Sequence, residues 1–255
     1  KGRINFPDEV IAGKAATKVF NTLKPSDISG DDAGIDVKKV REIIDQQTDG
    51  YMTPQAIAQL LTAAKIPVIQ EITTKNVKEA LDFAEDVAYP VVMKVVGPLH
   101  KSDVGGVSLN ISDDDSLKQE MQRMGKIEGY KGVLIQPMIT GTELFLGASY
   151  EEKFGSMVLC GLGGIFVEVI KDVAAGLAPL NKDEALGMIR SLKSYKIIQG
   201  VRGKEGVDEE VFADIMVKLS VLLKNAPEIK EMDLNPLIGK GKEIRVVDSR
   251  IRIKK

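Results

Sequence analysis

The sequence predicts an α+β protein built as two lobes with a cleft between them. From Thr53 onward, short apolar runs of strand character alternate with amphipathic helical stretches, joined by short connections. From Gly132 the same style resumes with different residues and no internal repeat. At 255 residues and 44% hydrophobic, the chain can bury one large core or two smaller ones.

Residues 1–47 differ from the rest. FPDEVIAGKAATKVF has weak helical spacing, KPSDISGDDAGID has the composition of a linker, and VKKVREIIDQQ resumes a helical pattern. The first residue is Lys1 rather than Met, so the chain is expected to be a piece of a longer one. TPQAIAQLLTAAKI then places Thr53 as N-cap and Pro54 at the first helical position, with Ile57, Leu60, Leu61 and Ala64 on its apolar stripe. PVIQEIT reads as a strand, VKEALDFAEDV as a helix and VVMKVV as a strand after Tyr89-Pro90. VSLNI is a further strand, with Ser112 as cap of the helix DSLKQEMQRM.

In the second half GVLIQPMI, ELFLGASY and SMVLCGL read as successive strands. NKDEALGMIRSL and DEEVFADIMVKLSVLLK read as helices. EIKEMDLNPLIG and EIRVVDSRIRI read as two strands joined by a turn at GKGK.

Composition narrows the function. With 35 Lys+Arg against 37 Asp+Glu, overall charge gives no case for nucleic acid or an anionic membrane. The lone Cys160 excludes an intrachain disulfide and fits a reducing compartment. Neither a secretory signal nor a membrane-length apolar run is present, and a cytoplasmic location is the expectation. There is no zinc spacing and no Walker A sequence.

Lys94 interrupts the apolar run VVMKVV, and a buried ammonium needs a compensating partner such as phosphate. The alternative is an edge-strand lysine with its head in water. The only histidine, His100, follows in HKSDVGGV beside Gly105 and Gly106, a loop able to turn its N–H groups toward phosphate. Neutral imidazole is a competent phosphoryl acceptor. Gln136, Pro137 and Met138 end a strand with an apolar face and backbone groups suited to adenine, and Glu143 beyond the turn suits ribose hydroxyls. GLGGIFVEVIKD carries Gly161, Gly163 and Gly164 without dinucleotide spacing, followed by Glu168 and Asp172, which suit a metal or a helix start. Asp233 and Asn235 are two apart and share a strand face, and Asp248 lies thirteen residues past Asn235 on the next strand. Such oxygen donors suit Mg²⁺ beside nucleotide phosphates, or else merely cap a sheet edge.

The order of these elements resembles the ATP-grasp domains. YPVVMKVV, LHKSDVGGV, GLGGIFVEVIKD, LAPL and LNPL are most similar to the β part of ADP-forming acyl-CoA synthetases, relatives of succinyl-CoA synthetase, over about Met52 to Ile253. The resemblance implies a linker and the end of a preceding domain at 1–47, an N-terminal lobe at 48–131 and a C-terminal lobe at 132–255. It also implies that Lys94 and the Gly105-Gly106 loop hold ATP or ADP phosphates, that Gln136 to Met138 line adenine and that Glu143 holds the ribose. Asn235 and Asp248 would hold Mg²⁺ with Asp233 nearby. His100 would relay phosphate to a CoA-ligase part, carried on the same chain or an α subunit, in an oligomeric enzyme. One departure is Gly176, where family members often carry a bulky residue before LAPL. Two other readings stay open: a non-catalytic regulatory region of a fused protein acetyltransferase, and an ATP-grasp ligase without a phosphohistidine.

Overall fold

The computed structural model describes residues 7–20, 33–98, 104–164, 172–201, 203 and 205–255. Helix α1 (Glu9–Phe20) precedes α2 (Val37–Asp45), the short strand β1 (Gly50–Tyr51) and α3 (Pro54–Ala63). Thr53 accepts the Ala56 N–H and Pro54 opens α3, because a residue without an N–H costs nothing in a first turn. The linker segment 21–32 lies outside the described residues.

The smaller sheet contains β2 (Ile72–Thr74), β3 (Val91–Val96), β4 (Val107–Ile111) and β5 (Gly132–Pro137), in the order β2-β5-β3-β4 and antiparallel throughout. Helices α4 (Val77–Val87) and α5 (Asp114–Met124) cover one face. Val91, Met93, Val95, Val133 and Ile135 pack there against Ala80, Ala84, Leu117 and Met121. Strand alternation turns Val92, Lys94, Leu134 and Gln136 to the opposite face. The cap of α5 is Asp113, not Ser112: its carboxylate accepts the Ser116 N–H at 2.8 Å, and the Ser112 hydroxyl donates to that same side chain. A charged acceptor at a helix N-terminus outcompetes a hydroxyl.

The larger sheet holds β6 (Thr142–Glu151), β7 (Gly155–Leu162) and β8 (Val173–Leu177). Helices α6 (Lys182–Ser191), α7 (Tyr195–Ile198) and α8 (Glu209–Asn225) follow, then β9 (Ile229–Lys240), β10 (Glu243–Val246) and β11 (Ser249–Ile253). The strand order is β1-β11-β9-β6-β7-β8, with β10 also beside β9. The run EIRVVDSRIRI is two strands rather than one. Pro236 has no N–H to give, so the ladder to β9 lapses there, and Val247 donates to the Pro236 carbonyl at 3.0 Å.

Two assignments cross the chain order. Ile43 and Ile44 of α2 and Leu60 and Leu61 of α3 belong to the core of the larger sheet, with Leu144, Phe212 and Leu222. Strand β5 pairs inside the smaller sheet, so the chain passes from one sheet to the other between Pro137 and Thr142.

Candidate functional site

The lobes meet where the open face of the smaller sheet approaches the β10–β11 break. The Ile69 N–H donates to the Val246 carbonyl, and the Val246 N–H donates to the Pro67 carbonyl, both at 2.9 Å. Lys94 on β3 and Gln136 on β5 are diagonal neighbours on that face, and Lys94 Nζ donates to Gln136 Oε1 at 2.9 Å. Gln136 is buried at 1% exposure, and its Nε2 donates to Glu71 Oε2 at 2.7 Å and to the Val247 carbonyl at 3.0 Å. Lys94 is thus half-buried and held on the face that turns toward the other lobe. The Gln136 side chain is spent on Lys94 and the lobe junction. Met138 in turn gives its N–H to the Pro90 carbonyl at 2.9 Å.

On the larger sheet, Asn235 donates its backbone N–H to the Asp248 carbonyl at 3.1 Å, which sets the two residues side by side across the β9–β11 junction. Asn235 Oδ1 accepts the Gly164 N–H at 3.0 Å, and the Gly163 N–H donates to the Glu143 carbonyl at 2.8 Å. A side chain at Gly164, whose φ is +59°, would overlap the Glu143 carboxylate. The glycines therefore let a backbone turn lie against Glu143 and Asn235. Asp233 faces Arg250 in the ladder. Loss of solvent raises its carboxyl above the ordinary range, with Arg250 opposing and Asp248 and Glu231 adding to the rise.

Asn235, Asp248 and Asp233 carry hard oxygen atoms of the kind Mg²⁺ takes, and are the residues that could hold one, with Asn235 Oδ1 bonded to the Gly164 N–H and Asp248 Oδ1 to the Ser249 N–H. Among the described residues no group of three or more His, Cys, Asp or Glu is placed to hold a metal. The donor set fits an ion completed by nucleotide phosphates better than a closed protein cage.

The glycine turn is anchored from behind. Gly105 adopts φ +63°, and its carbonyl accepts from Arg123 Nη2 at 2.8 Å. The Val95 N–H donates to the Gly106 carbonyl at 2.7 Å. Arg123 and Ser108 hold the Glu120 carboxyl below its usual range, Arg123 having the larger effect. Arg123 was not singled out from the sequence, because an α5 arginine has no local signal. His100 and Glu168 lie outside the described residues. Asp172 serves structure, accepting the Lys193 and Ser194 N–H groups at 3.1 and 2.7 Å. Burial pushes the Cys160 thiol up to about 12, so it stays protonated. Gly176 lies against Met188 and Leu180, whose side chains would have to shift for a larger residue.

A cavity of about 460 Å³ opens beside the turn after Met138, lined in part by Ile139, Thr140, Ile238, Lys240 and Arg245. Ile238 stands between Glu143 and Arg245 in the ladder, so one row of the sheet joins the cavity to the candidate ribose carboxylate.

Residues 44–253 match the model of the ATP-grasp domain. The β subunit of ADP-forming acetate–CoA ligase I from Pyrococcus furiosus is 40% identical over 228 residues, 84% of this chain and 98% of that subunit. The ADP-forming acetate–CoA ligase I of Archaeoglobus fulgidus is 38% identical over 86% of this chain, which spans only 34% of that longer protein. Among solved structures, the dinucleotide-forming acetyl-coenzyme A synthetase 1 of Ca. Korarchaeum cryptofilum superposes with a TM-score of 0.73 at 34% identity, covering 84% of this chain and all of that one. That protein was captured with coenzyme A and Mg-AMPPCP, its phosphohistidine segment pointing toward the nucleotide-binding site. The chain belongs to the ATP-grasp family, as the β portion of an ADP-forming acyl-CoA synthetase.

Proposed function

We propose that this chain binds ATP or ADP between its lobes and relays a phosphoryl group through His100 to a CoA-ligase portion. The observation that carries the reading is the contact of Gln136, which holds Lys94, with Val247 of the other lobe, next to Asp248, whose carbonyl accepts from Asn235. A cationic donor and hard oxygen ligands on opposite walls are what a polyphosphate needs. The Korarchaeum complex, with its phosphohistidine segment turned to the nucleotide, supports the relay.

In this reading Lys94 neutralises charge on the phosphates, Gly105 and Gly106 cover them, Pro137 and Met138 contact the base, and Glu143 takes the ribose hydroxyls. Asn235 and Asp248, with Asp233 beside them, hold Mg²⁺, which when bound supplies further charge neutralisation on the transferring group. His100 forms an N–P bond to the terminal phosphorus as the P–O bond to the ADP leaving group breaks. The phosphoryl group then passes to the partner portion, on the same chain or an α subunit. In the whole oligomeric, cytoplasmic enzyme the net reaction interconverts acyl-CoA, ADP and phosphate with acid, ATP and CoA.

Incubation with Mg²⁺ and γ-labelled ATP, with and without the CoA-ligase portion, tests the relay. Acid-labile, base-stable label that vanishes in His100→Asn is the expected result. Label retained in that variant, or none even with the partner portion present, refutes it. Labelling should also fall below about pH 6, where an ordinary imidazole is protonated and has no lone pair to attack with.

A further inference from the structure

We propose that Glu71, which no motif marks, is a positioning residue for Lys94, acting through Gln136. The inference rests on the nucleotide-binding reading and extends it to a residue outside the phosphate-binding elements. Lys94 Nζ is donor only, whereas Glu71 Oε2 and the Val247 carbonyl are acceptors only. One orientation of the Gln136 amide satisfies all three. Turned over, its Nε2 would face an ammonium, and its Oε1 would face a carboxylate and a carbonyl. Glu71 and Val247 therefore take both Nε2 hydrogens and leave Oε1 aimed at the lysine.

The two acceptors differ in kind. Val247 lies between β10 and β11 on the opposite lobe, next to Asp248, so its bond holds only while the lobes are together. Glu71 immediately precedes β2, which pairs with β5, and it travels with Gln136. When the lobes separate, Glu71 is the group that keeps the amide from turning over. Lys94 then meets incoming phosphate from a set position, and the ordering cost is met before binding.

Two readouts test this on the intact chain. The first needs no nucleotide: hydrogen exchange at the Gln136 side-chain amide, followed by nitrogen-edited NMR and assigned by loss of the signal in Gln136→Leu. Slow exchange in the unsubstituted protein and in Glu71→Gln, with faster exchange in Glu71→Ala, is expected. Equal exchange in all three overturns the clamp. The second is titration with Mg·ADP carrying a fluorescent ribose label. Glu71→Ala should weaken affinity about three- to tenfold, and Glu71→Gln, which retains an acceptor oxygen, should stay within about twofold. Adding Glu71→Ala to Lys94→Ala should cost nothing more, whereas a merely structural role would give additive losses. Should Glu71→Ala fold poorly by thermal melt, Glu71→Ser carries the same expectation. Unchanged affinity in Glu71→Ala, or full additivity with Lys94→Ala, overturns the inference alone. No nucleotide binding by the unsubstituted protein overturns the functional reading and this inference together.

Discussion

The smaller sheet has two helices behind it and an open face in front. The larger sheet has a helix of seventeen residues packed against it, α8, which buries Phe212, Met216, Leu219 and Leu222 among others. The helices α2 and α3, from earlier in the chain, join the same core. The thinner lobe carries Lys94 and the Gly105-Gly106 turn, and the thicker one carries Asp233, Asn235 and Asp248. The two proposed charge-handling sets therefore sit on bodies with cores of unequal size, and the smaller lobe should be the easier of the two to open.

The severest way to break the asymmetry is Phe212→Ala. It should cost about 3–5 kcal/mol, by cavity formation in the large core, and lower the urea midpoint of the whole chain. A loss below about 1 kcal/mol would show that the larger lobe does not hold the molecule together.

Next comes Gly97→Ala. Gly97 has φ +127°, and an added Cβ would overlap the Gly129 carbonyl behind β3. We expect a loss of about 2 kcal/mol. In hydrogen exchange, protection should fall across Val91–Val96 and Gly132–Pro137 while Ile229–Lys240 keeps its own. Equal losses in both sheets would mean that the lobes unfold as one unit.

Lys94→Ala should weaken Mg·ATP binding at least about tenfold, the worth of a charge-assisted phosphate contact, and cost about 1–2 kcal/mol of stability because the buried Gln136 Oε1 loses its donor. The smallest effect concerns the tie between α2 and the larger lobe. Arg41 donates to both Glu228 oxygens, at 2.9 and 2.8 Å. Both groups are partly exposed, so Arg41→Met should cost only about 1 kcal/mol. Arg41 is the main cause holding the Glu228 carboxyl below its usual range, against a smaller opposing effect of burial. A depressed carboxyl stabilises the fold above its unfolded value, near 4.3, and loses that contribution as pH falls through the folded value. The gap between the parent and Arg41→Met should therefore be full at pH 7 and close in acid, as read by urea unfolding at each pH.

The sequence was most legible where one residue's chemistry decides a local outcome. Thr53 with Pro54 can open a helix and do little else in that order. Lys94 in an apolar strand signalled the need for a partner, which the structure supplies as the Gln136 amide oxygen, and the two-residue spacing of Asp233 and Asn235 puts both on one strand face. What escaped was set by pairing across the chain. Nothing in GVLIQPMI says that this strand returns to the first sheet instead of starting the second. The role of Glu71 depends on that return, since only then does Gln136 come beside it. Asp113 took the cap expected of Ser112 because two good cap residues are adjacent, and sequence order does not rank them.

Strand β9 runs with β6 along one edge and with β10 and β11 along the other. A slip of one residue in a strand exchanges its faces. Here it would turn Asp233 and Asn235 toward Leu144 and Phe212 and break ladders on both sides at once. The number of residues between Ile229 and Lys240 is therefore as much a part of the site as their identity. A one-residue insertion inside β9 would displace the proposed cation donors without removing any of them. The same insertion beyond Gly241, at Lys242 in the turn before β10, would leave them in place.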